Sequence, residues 1–396
     1  MNQEVSGKMN HQGKRLPILG ITMGDPNGIG PELILKAFTQ FNLFKHFVPI
    51  VFGNLNALNF YRKRFQIKDF PLQHATELKK ISQKKVNFIE TDPSFQKVEP
   101  GHTSLAAGKT AYNAILLAAK LLQRGKLDAV VTLPINKKTI YHETNFPYRG
   151  HTEFFAHYFK AQDSLMLMVH EQLRVALVTV HVPIQEVPKL LSKETIFQKI
   201  QLFHRSLRMD FGIHSPTIAV LGLNPHAGEN GLIGNEELLH IIPAIEKANE
   251  QGIRVVGPFP SDGFFAARQF QQFDGILAIY HDQGLIPFKY ISGAAGVNFT
   301  AGLPIIRTSP DHGTAYDIAG KGVADVTSFL NAIYLALDIL KKRNDFQEFP
   351  SPLQKQSIDQ HVSRLLGHSK VSGEEADEPV DASIIEKDIS ENEPLG

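Results

Sequence analysis

Ile18-Leu19-Gly20-Ile21-Thr22-Met23-Gly24-Asp25-Pro26-Asn27-Gly28-Ile29-Gly30-Pro31-Glu32 is the stretch from which the fold is read. Ile18–Thr22 is a short, apolar, β-branched run of the kind that forms a buried strand, and the pattern from Pro31 to Phe38 opens a helix. A glycine-rich loop joins them. The same alternation recurs outward along the chain. Val48–Phe52, Ala129–Leu133, Val175–Val180, Thr217–Leu223, Arg254–Val256 and Gly275–Tyr280 read as strands separated by helical segments, of which Leu105–Gln123 has apolar residues at three- and four-residue spacing. Strands alternating with helices predict an α/β fold with largely parallel, buried strands. No internal repeat is visible.

The loop after Ile18–Thr22 is not the G-x-G-x-x-G dinucleotide fingerprint, because Pro26 and Pro31 interrupt it and its glycine spacing differs. A second small-residue stretch runs from Asp311 through His312, Gly313, Thr314 and Ala315 to Asp317 and on to Gly322. Backbone amides of such a loop can bind a phosphate or ribose; the alternative is a tight turn before a helix.

Three strand-like runs lead into histidine: His181, His226 and His281. Ligands of open α/β sheets collect beyond the carboxyl ends of the strands. Three imidazoles delivered there can converge on one ion and leave coordination positions free. The alternative is three separate, satisfied loop histidines. Asp282, beside His281, is either an orienting carboxylate or a helix cap. Lys289, Asn298 and Arg307 lie between His281 and the second loop, where an anionic substrate would need donors; singly, such residues are as readily surface groups.

The bulk composition narrows the function. A chain of 396 residues suits two domains, and a formal net charge of +1 gives no reason to expect a nucleic-acid or membrane-surface partner. The absence of cysteine removes disulfides, thiolate metal sites and a cysteine nucleophile together. No apolar run approaches the roughly 18 residues needed to span a bilayer, and the first residues lack a signal-peptide pattern, so a cytoplasmic location is expected. Residues 1–15 read as a disordered lead-in. Residues 367–396 read as a solvated acidic tail.

Together the motifs TMGDPNGIGPE (22–32), GHTEFF (150–155), VHVP (180–183), GLNPHAGE (222–229), YHDQGL (280–285), GVNFTAGLPIIRTSPDHGTA (296–315) and DIAGKG (317–322) resemble the 4-hydroxythreonine-4-phosphate dehydrogenase family of pyridoxal phosphate biosynthesis. The similarity runs from about Pro17 to Leu337. It implies a two-domain fold like that of the isocitrate and isopropylmalate dehydrogenases, with mostly parallel sheets and a cleft between domains. Residues 16–140 with 302–366 would form one domain, and 141–301 a second carrying the metal ligands and the dimer interface.

The resemblance further implies a homodimer whose active site is completed by the partner subunit. A divalent metal (zinc, magnesium or cobalt) would lie on His181, His226 and His281. Substrate contacts would come from His151, Thr152, Lys289, Asn298 and Arg307. NAD, with NADP as the alternative, would bind the loop of His312, Gly313, Thr314, Ala315 and Asp317, by analogy with the isopropylmalate dehydrogenases. The implied reaction oxidises the C3 hydroxyl of 4-phosphooxy-L-threonine and decarboxylates the product to 3-amino-2-oxopropyl phosphate. His151 and Asp262 are the candidates to take or relay the proton, with metal-bound hydroxide a third.

Two departures from the family pattern bear on substrate identity. Thr132-Leu133-Pro134 stands where relatives have Thr-Gly-Pro, and Ser261-Asp262-Gly263-Phe264 where Ala-Asp-Thr is usual. Dehydrogenases of 4-phospho-threonate or 4-phospho-erythronate are the nearest alternatives, a phosphate acyltransferase a more distant one, and a binding protein without activity the last.

Overall fold

The computed structural model describes residues 15–76, 78–144, 148 and 150–348. The expected lead-in, apart from Arg15, and the acidic tail lie outside the described residues. Twelve strands form one sheet: β1 (Ile18–Thr22), β2 (Val48–Gly53), β3 (Leu72–His74), β4 (Val86–Glu90), β5 (Ala129–Thr132), β6 (Leu165–His170), β7 (Leu173–Leu177), β8 (Thr217–Leu221), β9 (Arg254–Phe259), β10 (Gly275–Ala278), β11 (Val297–Ala301) and β12 (Arg307–Pro310). Their order is β3-β4-β2-β1-β5-β12-β11-β6-β7-β10-β8-β9. The α/β class and the mostly parallel sheet are as the alternation predicts.

The exception lies at the centre. β12, β11, β6 and β7 pair antiparallel in succession. This seam escapes sequence reading for a physical reason. β12 is Arg-Thr-Ser-Pro, with no aliphatic or aromatic side chain to register as a buried strand, and β6 is largely leucine and methionine, which favour helix as readily. The strand ends are also shorter than expected. β7, β8 and β10 stop at Leu177, Leu221 and Ala278, so each of the three histidines stands beyond its strand, His281 as the first residue of the helix His281–Ser292.

Helices cover the sheet where their ends are specified. Pro31 enters the first turn of Gly30–Gln40, where its missing N–H costs nothing. Ser104 caps Leu105–Gln123 by accepting from the Ala107 amide at 3.3 Å. The long helix Thr327–Glu348 lies against the seam, and Thr308 Oγ1 donates to the Ala332 carbonyl at 2.8 Å. Among the described residues no helix is long and apolar enough to cross a membrane.

Alternation along β11 divides core from site. Val297, Phe299 and Ala301 are buried in the main hydrophobic cluster, while Asn298 and Thr300 face the other way. Phe299→Ala is therefore expected to destabilise the protein by about 3–5 kcal/mol. Chemical denaturation should show the lowered midpoint; a loss under about 1 kcal/mol would mean that the seam is not a packed core.

Candidate functional site

The two glycine-rich segments are clasped together. The Ile29 amide donates to the Thr314 carbonyl at 3.1 Å, and Tyr316 donates to the buried Asp25 carboxylate at 2.7 Å while accepting from Asn136 Nδ2 at 3.1 Å. Gly24 has φ 72°, and a side chain there would strike the Pro134 carbonyl, so glycine is required. Buried Asn27 fastens a third segment: its Oδ1 accepts from the Glu99 amide at 2.9 Å, and its Nδ2 donates to the His102 carbonyl at 3.0 Å. Glu32 accepts from the Ala324 amide at 2.7 Å and pairs with Lys36 at 3.0 Å. Burial pushes Asp25 upward, outweighing the opposing hydrogen bonds from Tyr316 and the Asn27 amide.

Beyond this clasp lies a cavity of about 210 Å³. His151, Thr152, Asn298, Arg307, His312 and Gly313, all singled out from sequence, line it, together with His181. Arg307 is 3% exposed. Its Nε and Nη2 donate to Thr132 Oγ1 at 2.9 and 2.7 Å, and its Nη1 to Thr300 Oγ1 at 3.1 Å. Among the described residues it has no carboxylate within ion-pair distance, though Glu153 contributes a favourable field. Burial pushes its pKa down to about 9, so it stays cationic at neutral pH.

Three further cavity residues carry buried polar atoms with no hydrogen-bond partner among the described residues: His151 Nε2, Asn298 Oδ1 and His312 Nε2. Buried polar atoms are ordinarily satisfied. Their convergence with an unpaired guanidinium marks a site shaped for a polar, anionic ligand. Burial first, then the charges of Arg307 and Lys137, holds His151 well below the usual histidine range. Its imidazole is neutral near pH 7 and free to accept a proton.

A second pocket, of about 290 Å³, adjoins this one and contains His181 and His281. Their ring centroids are 5.9 Å apart, because β7 and β10 are neighbours and deliver both loops to one edge. His281 Nδ1 lies 2.7 Å from Asp282 Oδ1, so Asp282 acts as the orienting carboxylate rather than as a side-chain helix cap. His181 Nδ1 is 3.7 Å from Glu153. Burial opposes ionisation of Glu153, but its hydrogen bond to His181 and the nearby Lys137 lower its pKa on balance.

Within one chain the described residues bring two of the three histidines together. His226 is exposed on a left-handed turn and lines neither pocket, and the described residues contain no cluster of three or more His, Asp or Glu placed to hold a metal.

Other expected residues are also apart. Asp262 is exposed on the helix Ser261–Ala266 and lines neither pocket. Lys289 is half-exposed and faces Asp311, a cavity residue, at 3.5 Å. Thr314 packs on Gly28, Ala315 takes φ 46° and Asp317 is exposed, so of the five expected cofactor residues only His312 and Gly313 line the cavity. Leu133 and Phe264, the departures noted above, are both buried in hydrophobic clusters and line neither pocket. Sequence reasoning missed Lys137 and Glu153 as lining residues, and met Thr132 and Asp311 only as parts of the segments noted above. Glu153 stood within the GHTEFF motif; Lys137 carried no comparable signal.

Because the folded state resists protonating His151, the unfolded chain binds that proton more readily just below pH 6.5. Stability contributed by the neutral ring is thus complete above pH 6.5 and declines as pH falls toward the lowered folded value. Melting temperatures of wild type and His151→Gln should converge on acidification; parallel curves from pH 7 to 5 would contradict the buried neutral assignment.

Comparison with known proteins agrees with this geometry. The profile of pyridoxal phosphate biosynthetic protein PdxA matches residues 45–336. A 4-hydroxythreonine-4-phosphate dehydrogenase of Bacteroides thetaiotaomicron is 43% identical over 85% of this chain and 93% of its own length. A provisionally named D-threonate 4-phosphate dehydrogenase of Oceanobacillus iheyensis is 41% identical over 82% and 98%. The crystal structure of a 4-hydroxythreonine-4-phosphate dehydrogenase from Burkholderia phymatum superposes with a TM-score of 0.69 at 37% identity, covering 82% of this chain and 99% of that one. The clasped glycine loops, the arginine-floored cavity and these likenesses together make the chain a member of the PdxA family of pyridoxal phosphate biosynthetic proteins.

Proposed function

We propose that this protein is a nicotinamide-dependent, metal-assisted oxidoreductase that converts 4-phosphooxy-L-threonine to 3-amino-2-oxopropyl phosphate and carbon dioxide in vitamin B6 biosynthesis. The observation that carries the reading is the cavity where buried Arg307 meets the unpartnered atoms of His151, Asn298 and His312. Membership of the family supports the reaction type.

Arg307 offers a planar fork to the substrate's phosphate or carboxylate. Thr132 and Thr300 fix that fork from below, and Asn298 and Thr152 complete the polar lining. His151, neutral and lining the cavity, would take the proton from the hydroxyl oxygen at Nε2 while hydride leaves the carbon that bears that oxygen. Asp262 is too exposed to share that role within one chain. The nicotinamide cofactor would accept the hydride. Open space over the Gly313 Cα, beside the clasped loops, suits the approach of a dinucleotide, with His312 next to it. Asp317, exposed at the rim, would reach its ribose.

His181 and His281 fit a metal as a half-site, with Asp282 setting the imidazole orientation. The third ligand would be His226 of the partner subunit. A divalent ion there would acidify the substrate hydroxyl and polarise the ketone before decarboxylation. Exposed apolar side chains occur on the segments that carry the histidines, Ile184 in the pocket of His181 and His281, Leu232 and Leu239 following His226 in the chain, and Ile286 and Tyr290 on the helix that His281 begins, which supports a homodimer assembled around the site. Strand order supports a division into 16–140 with 302–366, holding β1–β5 and β12, and 141–301, holding β6–β11.

D-threonate 4-phosphate is the second reading, favoured by the likeness to the Oceanobacillus protein. NADH formation on both substrates, with and without chelator, tests the proposal. Turnover of 4-phosphooxy-L-threonine at the higher kcat/KM, lost with chelator and regained with a divalent ion, is expected. Preference for the threonate compound would replace the substrate assignment, and full activity after metal stripping would remove the metal from the mechanism. In the same assay Arg307→Ala should cost about 2–4 kcal/mol in kcat/KM, since a substrate anion would lose its partner; unchanged kinetics would move the anion site elsewhere.

A further inference from the structure

The turn carrying His226 is unlike any other in the molecule. His226, Ala227, Gly228, Glu229 and Asn230 all take positive φ, between 42° and 78°. Consecutive left-handed residues with side chains are disfavoured and persist only where surroundings enforce them. The enforcing group is Glu237, only 1% exposed. Its Oε1 accepts from the Leu223 and Asn224 amides, both at 2.7 Å, and its Oε2 from Asn224 Nδ2 at 2.9 Å. The carboxylate fills the hollow of the turn. A side chain at Gly228 would come within 2.6 Å of Glu237 Oε2, and one at Gly222 within 3.2 Å of Oε1.

The base of the turn is also tied to the other histidine pocket. Gln283, on the helix that His281 begins, donates to the Gly222 carbonyl at 2.5 Å and accepts from the Ile279 amide at 2.6 Å. His226 itself is exposed, and Leu232 and Leu239, which follow it in the chain, are 82% and 62% exposed. A strained turn braced by a buried carboxylate, and followed in the chain by exposed apolar side chains, is preorganised to present one imidazole to a neighbouring protein surface.

The geometry points to Glu237 as the positioning residue that holds His226 in place for the metal site of the partner subunit. This rests on the proposed role of His226 as a ligand. Glu237 touches neither metal nor substrate; it acts through the turn. In Glu237→Gln the carboxamide has the same shape but turns a donor toward groups that are all donors, so the turn should relax.

The test is titration of the metal-free, full-length protein with Co²⁺, read by its visible absorbance, alongside melting temperature, NAD affinity and size-exclusion chromatography. E237Q should bind Co²⁺ at least tenfold more weakly, about 1.4 kcal/mol, with the dimer and NAD affinity retained. H226A should lose at least as much. Unchanged cobalt affinity in E237Q with a lowered melting temperature would make Glu237 merely structural and overturn the proposal. Weakened binding in H226A with none in E237Q would overturn the positioning role alone; unchanged binding in H226A would overturn the ligand assignment beneath it. If E237Q folds too poorly to titrate, Asn224→Ala removes one of the three bonds to Glu237 and should weaken Co²⁺ about threefold. An unchanged affinity there overturns the proposal.

Discussion

Arg307 is a cation enclosed by the protein and answered there by two threonine hydroxyls rather than by a carboxylate. Burying a charge is unfavourable unless hydrogen bonds and an opposite charge compensate. The threonines supply hydrogen bonds; the opposite charge is left for a ligand. That arrangement depends on the central seam. Thr132 comes from β5, Arg307 from β12 and Thr300 from β11, so the guanidinium ties three adjacent strands and fixes the cavity floor. The antiparallel pairing of β11 with β12 puts Asn298 beside Ser309 on that floor, while Phe299 and Thr308 turn toward the helix behind.

The clasp of glycine-rich loops solves a different problem. On the proposed reading the loops form a dinucleotide site, which without the usual fingerprint still needs backbone amides held at close range. Here close range comes from steric fit: Gly24 lies on the Pro134 carbonyl and Gly28 on Thr314. Buried Asp25, Asn27 and Glu32 then lock three separated segments together, so the loop reaching His312 and Gly313 is braced from beneath. Mobility lost in this region is mobility that a bound cofactor would not have to suppress.

The histidines follow the sheet. β7 and β10 are neighbours, so His181 and His281 meet; β8 also borders β10, yet the left-handed turn after it sends His226 outward. On the proposed reading, metal binding and assembly are therefore one event, and the apolar residues around the histidines serve the catalytic site by serving the interface.

The sequence by itself determined the α/β class, the helix Leu105–Gln123, strand β1 and several polar members of the cavity, because buried strands, capped helices and glycine loops leave local signatures in residue type and spacing. It did not reveal β12, whose side chains are polar because they line a site, nor β6. It also named His226, Asp262 and Lys289 correctly as chemically able groups while having no means to say that they lie apart from the cavity in one chain. Lys137 and Glu153 were silent for the converse reason: an exposed lysine and a helix glutamate look ordinary until folding brings them beside His151 and His181. Residue type fixes which chemistry is available; which groups share it is decided by strand order and turn handedness, and these arise from contacts between segments far apart in the chain.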